Sequence, residues 1–294
     1  MAEITSPNLS GVAETLLITL YIRAMESQRP DAPVKDERAE AIVRKLDQET
    51  LRKTLALTDD FSRVAVILKG REFDRFALDF LVRHQDAVVV HIGCGLDTRF
   101  ERVCCGQQDN NRVEWYDLDL PEVIELRRKL VGGEGPHHHF LACSVLDSAW
   151  LQAVSAHKQV PFLFLAEGVF MYFEAAQVKS LVLRLHEHFP GAELLFDAFT
   201  PFMRWAHNVK VTRTGVGAYL HWGLKHARDV EQWSAISSTS AGTLAPHEAQ
   251  HSAGVRLLDE RFPFQYPEPR LRNALKMRLF PCLATAIGVF RYQL

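Results

Sequence analysis

No apolar run in the chain approaches the roughly 18 residues that a helix needs to cross a bilayer, and residues 1–9 carry no cationic segment of the kind that opens an export signal. Cysteine is scarce: the five residues are Cys94, Cys104, Cys105, Cys143 and Cys282, odd in number and without a C-x-x-C pair. That usage excludes a fully paired disulfide scaffold and fits a reduced, cytoplasmic setting, with Cys104-Cys105 read as packing residues. Charge of one sign is missing as well. Lys and Arg number 34 against 36 Asp and Glu, a net charge of −2, so no basic field advertises nucleic acid or an acidic membrane as partner. Internal repeats and low-complexity tracts are absent, which excludes solenoids and arrays. What remains is 294 residues, 47% hydrophobic and 24% charged, an ordinary globular composition with length enough for a large core.

The pattern of those residues changes along the chain. "ETLLITLYIRAM" (14–25) spaces Leu17, Leu20, Tyr21 and Ala24 at helical intervals, "RPDAP" (29–33) breaks it, and Asp36 reads as the N-cap of a helix through residue 46. Residues 71–83 repeat the helical pattern with Phe73, Phe76, Ala77 and Phe80 on one face. From 87 onward come five short apolar runs, "AVVVHIG", "RVEWYDLDLP", "HHHFLACSVL", "PFLFLAEGVF" and "AELLFDAF", most of them separated by helical stretches such as "PEVIELRRKL" and "AAQVKSLVLRLHEHF". Continuous apolar strands alternating with helices imply an α/β fold with a doubly wound, mostly parallel sheet. Residues 200–253 break the alternation, with Trp205, Trp222 and a polar stretch at 233–248. They read as a helical insertion after the fifth strand. After it come "VRLLDERFPF", a helix at 270–280 and a terminal "IGVFRYQL", whose two strands read as an antiparallel edge pair completing a seven-stranded sheet. The expected organisation is a single domain: an N-terminal helical cap over 1–86, a ligand-binding core over 87–199, a substrate-side insertion over 200–253 and closing strands over 254–294.

The first strand runs into "GCGLDTRF" (93–100). Glycines at 93 and 95 suit a tight turn beneath a ligand, at the crevice beyond the strand ends of a doubly wound sheet. A dinucleotide fingerprint would place a third glycine at 98, where this chain has Thr98, and Asp97 stands where a pyrophosphate would sit. The second strand ends in "DLDLP", so Asp117 and Asp119 lie where a carboxylate can accept from ribose hydroxyls. An acidic crevice suits a nucleoside without phosphates and with a cationic centre, which describes S-adenosylmethionine. A nicotinamide oxidoreductase is the disfavoured alternative. Asp97 and Asp117 themselves read more simply as loop-holding or capping residues.

At these residues the chain resembles the leucine carboxyl methyltransferase family. "GCGLDTRFERV" (93–103), "VEWYDLDLPEVIELRRKL" (113–130) and "PFLFLAEGVFMYF" (161–173) carry the resemblance, and "RAMESQRPDAPVKDERA" (23–39) is similar to its bacterial branch, which includes polyketide O-methyltransferases. The resemblance implies a methyltransferase sheet and S-adenosylmethionine as cofactor. It implies that Arg71 grips the cofactor's methionine carboxylate, that Gly93 and Gly95 form the loop under the methionine moiety, that Asp119 holds the ribose and that Glu167 faces the ammonium group. Where the family often has Asp-Leu against the adenine, this chain has Ser144-Val145.

Substrate choice is expected in the insertion. Tyr172, Trp205 and Trp222 are candidates to line an aromatic-accepting pocket, with core packing as the equal rival. Arg204 is a candidate to orient an acceptor carboxylate, and His207, His221 and His226 are candidate bases. "HHH" (137–139) is not expected to bind metal, because neighbours on an extended segment point to opposite sides. The expected activity is O-methylation of a small-molecule carboxylate or phenol, possessing the polyketide-like character of the bacterial branch. A protein C-terminal carboxyl methyltransferase and a non-catalytic S-adenosylmethionine-binding protein stay open, as does the oligomeric state.

Overall fold

Residues Ala87–Ile92 form a strand, β1, in which every side chain is buried. A strand apolar on both faces is stable only when both faces are covered, and the computed structural model shows how. It describes residues 12–46, 58, 60–104, 112–157, 159–214, 218–238, 254–262 and 285–294. The strands β1, β2 (Val113–Asp119), β3 (His138–Ala142), β4 (Phe162–Ala166), β5 (Glu193–Phe199), β6 (Arg256–Arg261) and β7 (Ile287–Gln293) form one seven-stranded sheet in the order β3-β2-β1-β4-β5-β7-β6. The pairings from β3 across to β5 are parallel, and β7 runs antiparallel to both β5 and β6. The chain builds outward through β2 and β3, then returns to lay β4 on the other side of β1. That reversal opens a crevice beyond the carboxyl ends of β1 and β4.

The helices are α1 (Val12–Ser27), α2 (Glu37–Val43), α3 (Asp60–Arg83), α4 (Arg99–Cys104), α5 (Pro121–Leu130), α6 (Ala149–Val154), α7 (Ala175–His188), α8 (Pro201–Thr214) and α9 (Glu231–Ser238). Asp36 caps α2 as its position suggests, accepting from the Ala39 amide at 2.9 Å. Alternation along the strands sorts the core into two layers. Val88, Val90 and Ile92 pack with Phe164, Phe196 and the α7 residues Val178, Leu181 and Leu185. Val89, Trp115 and Leu165 pack on the opposite face beneath Phe73, Phe76 and Phe80 of α3. The helical pattern over 71–83 is thus the second half of a longer helix, and Arg71 lies inside it rather than opening it.

One further reading changes. The polar stretch beginning at 233 is helical as far as Ser238. Trp233 lies 6.3 Å from Trp222, and the Ser234 hydroxyl accepts from the Val255 amide at 2.9 Å, so tertiary contacts override a composition that reads as loop. The last two strands form the antiparallel pair expected at one end of the sheet, with β7 inserted between β5 and β6 and β6 on the edge. The helix expected at 270–280 lies outside the described residues. The histidine run behaves as alternation requires: His138 is buried against Asp117 at 2.7 Å, while His137 and His139 share Glu114 on the other side at 2.8 and 2.7 Å.

Candidate functional site

The turn after β1 is built on positive backbone angles, φ +63° at Gly93 and +50° at Gly95, which only glycine adopts without strain. Space forbids a side chain too. A Cβ on Gly93 would lie 2.4 Å from Val169 Cγ2, and one on Gly95 would lie 2.7 Å from Leu16 Cδ2. The amides of the turn are spent on the protein itself. Gly93 and Cys94 donate to the Leu118 carbonyl at 2.7 and 3.2 Å, Gly95 donates to Asp119 Oδ2 at 2.8 Å, and Asp97 donates to the Cys94 carbonyl at 2.9 Å. Arg127 donates to the carbonyls of Gly95 and Asp97 at 3.1 and 2.6 Å, so both edges of the loop are held. Burial pushes the Cys94 thiol well up, which makes it a packing group rather than a nucleophile.

Behind the loop lies a buried ionic lattice. Asp97 faces Arg102 at 2.8 Å and Arg99 at 2.9 Å; burial works against its charge, yet those arginines and Arg23 outweigh it and hold the carboxyl well below the usual range. Thr98, at the place of the missing third glycine, donates its hydroxyl to both oxygens of Asp36 at 2.6 and 2.7 Å. The departure from a dinucleotide fingerprint is therefore what ties the loop to the N-terminal cap. Asp117 is enclosed by Arg127 at 2.5 Å and His138 at 2.7 Å. Both aspartates hold structure, the role expected of Asp97.

A cavity of about 650 Å³ opens over the loop, in the crevice marked by the strand reversal. Gly93, Gly95, Asp119, Ser144, Val145, Glu167 and Tyr172 all line it, so the structure brings together residues separated by up to 79 positions in the chain. Burial raises the Asp119 carboxyl, against the pull of its bonds from the Gly95 and Leu120 amides. Glu167 takes Arg99 at 2.6 Å and stands 4.0 Å from Lys69. Lys69 in turn pairs with the fully buried Asp197 at 2.8 Å, whose second oxygen accepts from the Gly168 amide at 2.5 Å. Burial disfavours the Lys69 ammonium, but Asp197 and Glu167 more than offset it and raise its proton affinity.

Other expected residues lie elsewhere. Arg71 is not among the described residues lining the cavity; its guanidinium meets Glu72 at 3.0 Å, and the cationic α3 residue at the cavity is Lys69, two positions earlier. Trp222 is buried against Phe196 at 5.9 Å, a packing role. Trp205 is 59% exposed beside Phe202 on the outside of α8. Arg204 donates to the His221 carbonyl at 3.2 Å, and the His221 ring pairs with Glu174 at 3.1 Å, both away from the cavity wall. His226 is exposed. For the α8 residues the reason is helical phase. The α8 residues that reach the cavity are Met203, Ala206, His207 and Lys210, an i, i+3, i+4, i+7 stripe that periodicity could have revealed. His207 Nε2 lies 3.1 Å from the Ala218 carbonyl, which can only accept, so that nitrogen carries a proton. Arg23 and Leu16 of α1 also reach the cavity, and nothing in their pattern distinguished them from core residues.

Comparison with known proteins agrees with this geometry. A model of the leucine carboxyl methyltransferase family matches residues 16–186. The tetracenomycin polyketide synthesis O-methyltransferase TcmP of Streptomyces glaucescens is 34% identical over 263 residues, covering 86% of this chain and 93% of that protein. The S-adenosyl-L-methionine-dependent methyltransferase dpfgK of Gibberella zeae is 29% identical, over 76% of this chain and 78% of its own length. Among solved structures, a DUF574 family protein from Streptomyces avermitilis aligns with a TM-score of 0.51 over 95% of this chain and 96% of that one, at 13% identity, a likeness of fold.

Proposed function

Because the chain belongs to the leucine carboxyl methyltransferase family, we propose that its cavity holds S-adenosylmethionine and a small-molecule acceptor, and that the protein is an O-methyltransferase for a carboxylate or a phenol. The observation that carries the reading is the state of the glycine turn. The amides of Gly93, Cys94, Gly95 and Asp97 are satisfied by protein acceptors, and the wall carries Asp97, Asp119, Glu122 and Glu167. A pyrophosphate needs free amides and no carboxylates; a phosphate-free nucleoside with a sulfonium and an ammonium group fits this lining. Asp119 is the group to hold ribose hydroxyls, Glu167 to face the ammonium group, Ser144 and Val145 to border the adenine, and Lys69, rather than Arg71, to meet the carboxylate. No helix among the described residues is long and apolar enough to cross a membrane.

When bound, the cofactor supplies an electrophilic methyl group. The chain's part is to place an acceptor oxygen in line behind it and keep water out, since positioning supplies much of the acceleration in such a displacement. Met203, Ala206 and Leu220 supply apolar lining to the cavity beyond the glycine loop, and Tyr172, His207 and Lys210 supply polar groups. A carboxylic acid is already ionised at neutral pH and needs only orientation. A phenol near pKa 10 has about one molecule in a thousand ionised, equivalent to roughly 4 kcal/mol; His207 is the insertion histidine at the cavity, and with Nε2 donating to the Ala218 carbonyl, Nδ1 is the atom that would take the proton. We read the chain as one domain, with a cap at 1–86, a cofactor core at 87–199, a substrate-side insertion at 200–253 and closing strands at 254–294. The relation to a polyketide enzyme favours a small acceptor over a protein C-terminus.

Transfer of a radiolabelled methyl group to a panel of aromatic acids, phenols and C-terminal peptides tests this reading. Label is expected on the small acids or phenols. Label on peptides alone, or on nothing while adenosylhomocysteine still binds, would overturn the acceptor assignment.

A further inference from the structure

The segment from Ala218 to Leu224 has no regular secondary structure, yet Leu220, Trp222 and Leu224 within it are buried. Buried peptide groups must find partners, and here they find them on both sides. On one side the His221 and Trp222 amides donate to the Met171 carbonyl at 2.8 and 3.2 Å, and the Leu224 amide donates to the Phe199 carbonyl at 2.9 Å. On the other side the partners are side chains of α8. Arg204 donates to the His221 carbonyl at 3.2 Å and His207 to the Ala218 carbonyl at 3.1 Å. Asn208 does more than either. Its Nδ2 donates to the Leu220 carbonyl at 2.8 Å, and its Oδ1 accepts from the Leu220 amide at 2.9 Å.

A carboxamide is the one side-chain group that offers a donor and an acceptor side by side, so it can pair with both peptide groups of one residue as a neighbouring strand would. Only one orientation of the amide satisfies both bonds, which fixes its rotation. Leu220 is the residue so gripped, and it lines the cavity together with Phe199 of β5, Met203 and His207 of α8, and Ile287 of β7. Asn208 itself is not among the described residues that line the cavity. Its neighbour His207 is, and the two successive residues of α8 hold Ala218 and Leu220, two positions apart in the segment.

We infer that Asn208 is a positioning residue for the acceptor: by clamping the backbone of Leu220 it fixes the acceptor-side wall of the cavity, and so sets which apolar molecules the site accepts, without touching the cofactor or the acceptor. The assignment of that wall to the acceptor rests on the function proposed above. The clamp separates two tasks. The cofactor end is braced by Asp119, Arg127 and Asp197 from the strands and α5, whereas the acceptor end depends on side-chain pairing by a helix outside the central core. Each of the two Leu220 groups left without its partner costs an amount comparable to a lost buried hydrogen bond, enough to loosen the segment without unfolding the sheet.

The test uses the full chain and the variants Asn208→Leu, Asn208→Asp and Asn208→Gln. Hydrogen exchange by mass spectrometry reads the segment directly. In the parent protein, peptides spanning 218–224 are expected to be protected. In Asn208→Leu they are expected to exchange at least tenfold faster, while peptides from β1, β4 and α3 are unchanged. Asn208→Asp keeps an acceptor for the Leu220 amide and loses the donor, so it is expected to fall between the two. Asn208→Gln carries the same amide and is expected to restore part of the protection. Calorimetry then separates the two ends of the cavity: adenosylhomocysteine affinity is expected to stay within twofold in all variants. Affinity for naphthoate, a planar apolar acid used as probe in the presence of adenosylhomocysteine, is expected to fall about tenfold in Asn208→Leu. Unchanged exchange over 218–224, loosening spread through the core, equal loss of adenosylhomocysteine and naphthoate affinity, or no naphthoate binding to the parent would each overturn the inference. Absence of adenosylhomocysteine binding to the parent would instead remove the function on which it rests.

Discussion

The Asp119 carboxylate, at the end of β2, accepts the Gly95 amide at 2.8 Å across the crevice from the turn after β1. One residue therefore both closes the glycine loop and presents a carboxylate to the cavity, and burial raises its proton affinity while the Gly95 and Leu120 amides favour its charge. Replacing it removes charged hydrogen bonds worth about 1.5–3 kcal/mol each. Asp119→Ala is expected to lower adenosylhomocysteine affinity at least tenfold and to lower the thermal midpoint by a few degrees, because the Gly95 and Leu120 amides lose their acceptor, while the unfolding stays cooperative. Calorimetry with unchanged affinity would remove Asp119 from the site.

The turn itself makes a sharper demand. Gly93→Val puts a β-branched residue at φ +63°, and its Cβ meets Val169 Cγ2 at 2.4 Å. The backbone strain alone costs on the order of 1–3 kcal/mol. The variant is expected to lose cofactor binding far more completely than Cys94→Ala, whose side chain packs against Ile124 and Phe140. Equal binding by the two proteins would show that the loop is not the floor of the site.

Lys69 and Arg71 provide a contrast within one helix. Lys69 reaches the cavity and pairs with Asp197 at 2.8 Å, whereas Arg71 meets Glu72 at 3.0 Å. Arg71→Ala is expected to change adenosylhomocysteine affinity less than twofold. Lys69→Met is expected to lower it at least tenfold, and also to cost stability, because Asp197 is left as a buried charge. The reverse order of effects would return the carboxylate contact to Arg71.

These placements show what the sequence could and could not reveal. Strands β1 and β4 announced themselves because each is nearly all apolar and is buried on both faces, and the glycine turn because Gly93 and Gly95 follow β1 directly. Asp119 was legible from its place at the end of β2, and Ser144, Val145 and Glu167 through the family resemblance; all four line the cavity. The place of Lys69 at the cavity was not legible, because the resemblance implies Arg71, two positions and about 200° further round the helix. Arg204 and Trp205 were named for their side-chain chemistry rather than for the face of α8 that reaches the cavity, which carries Met203, Ala206, His207 and Lys210. Asn208 carries no sequence signal at all, since its role depends on a segment twelve residues onward that is shaped only in the folded chain.

Acid should weaken the fold through Asp117. Burial opposes its charge, but Arg127, with His138 and His91, prevails and drives the carboxyl far below its ordinary value. The stabilisation is then complete above the unfolded pKa, about 3.9, and is lost progressively as pH falls below it toward the folded value. Thermal midpoints measured from pH 6 down to 3 are expected to decline for the parent protein over the lower part of that range. Asn at this position breaks the buried pair, costing about 3–5 kcal/mol at neutral pH, and Asp117→Asn is expected to show a shallower decline between about pH 5 and 3. Identical acid slopes in the two proteins would contradict the assignment.

The nature of the ligand is decided most directly by titrating the full chain in a calorimeter with adenosylhomocysteine and, in a separate run, with NAD. Saturable binding of one adenosylhomocysteine per chain with no heat from NAD is the expected result. Tight binding of NAD with none of adenosylhomocysteine would contradict the assignment of the cavity to S-adenosylmethionine.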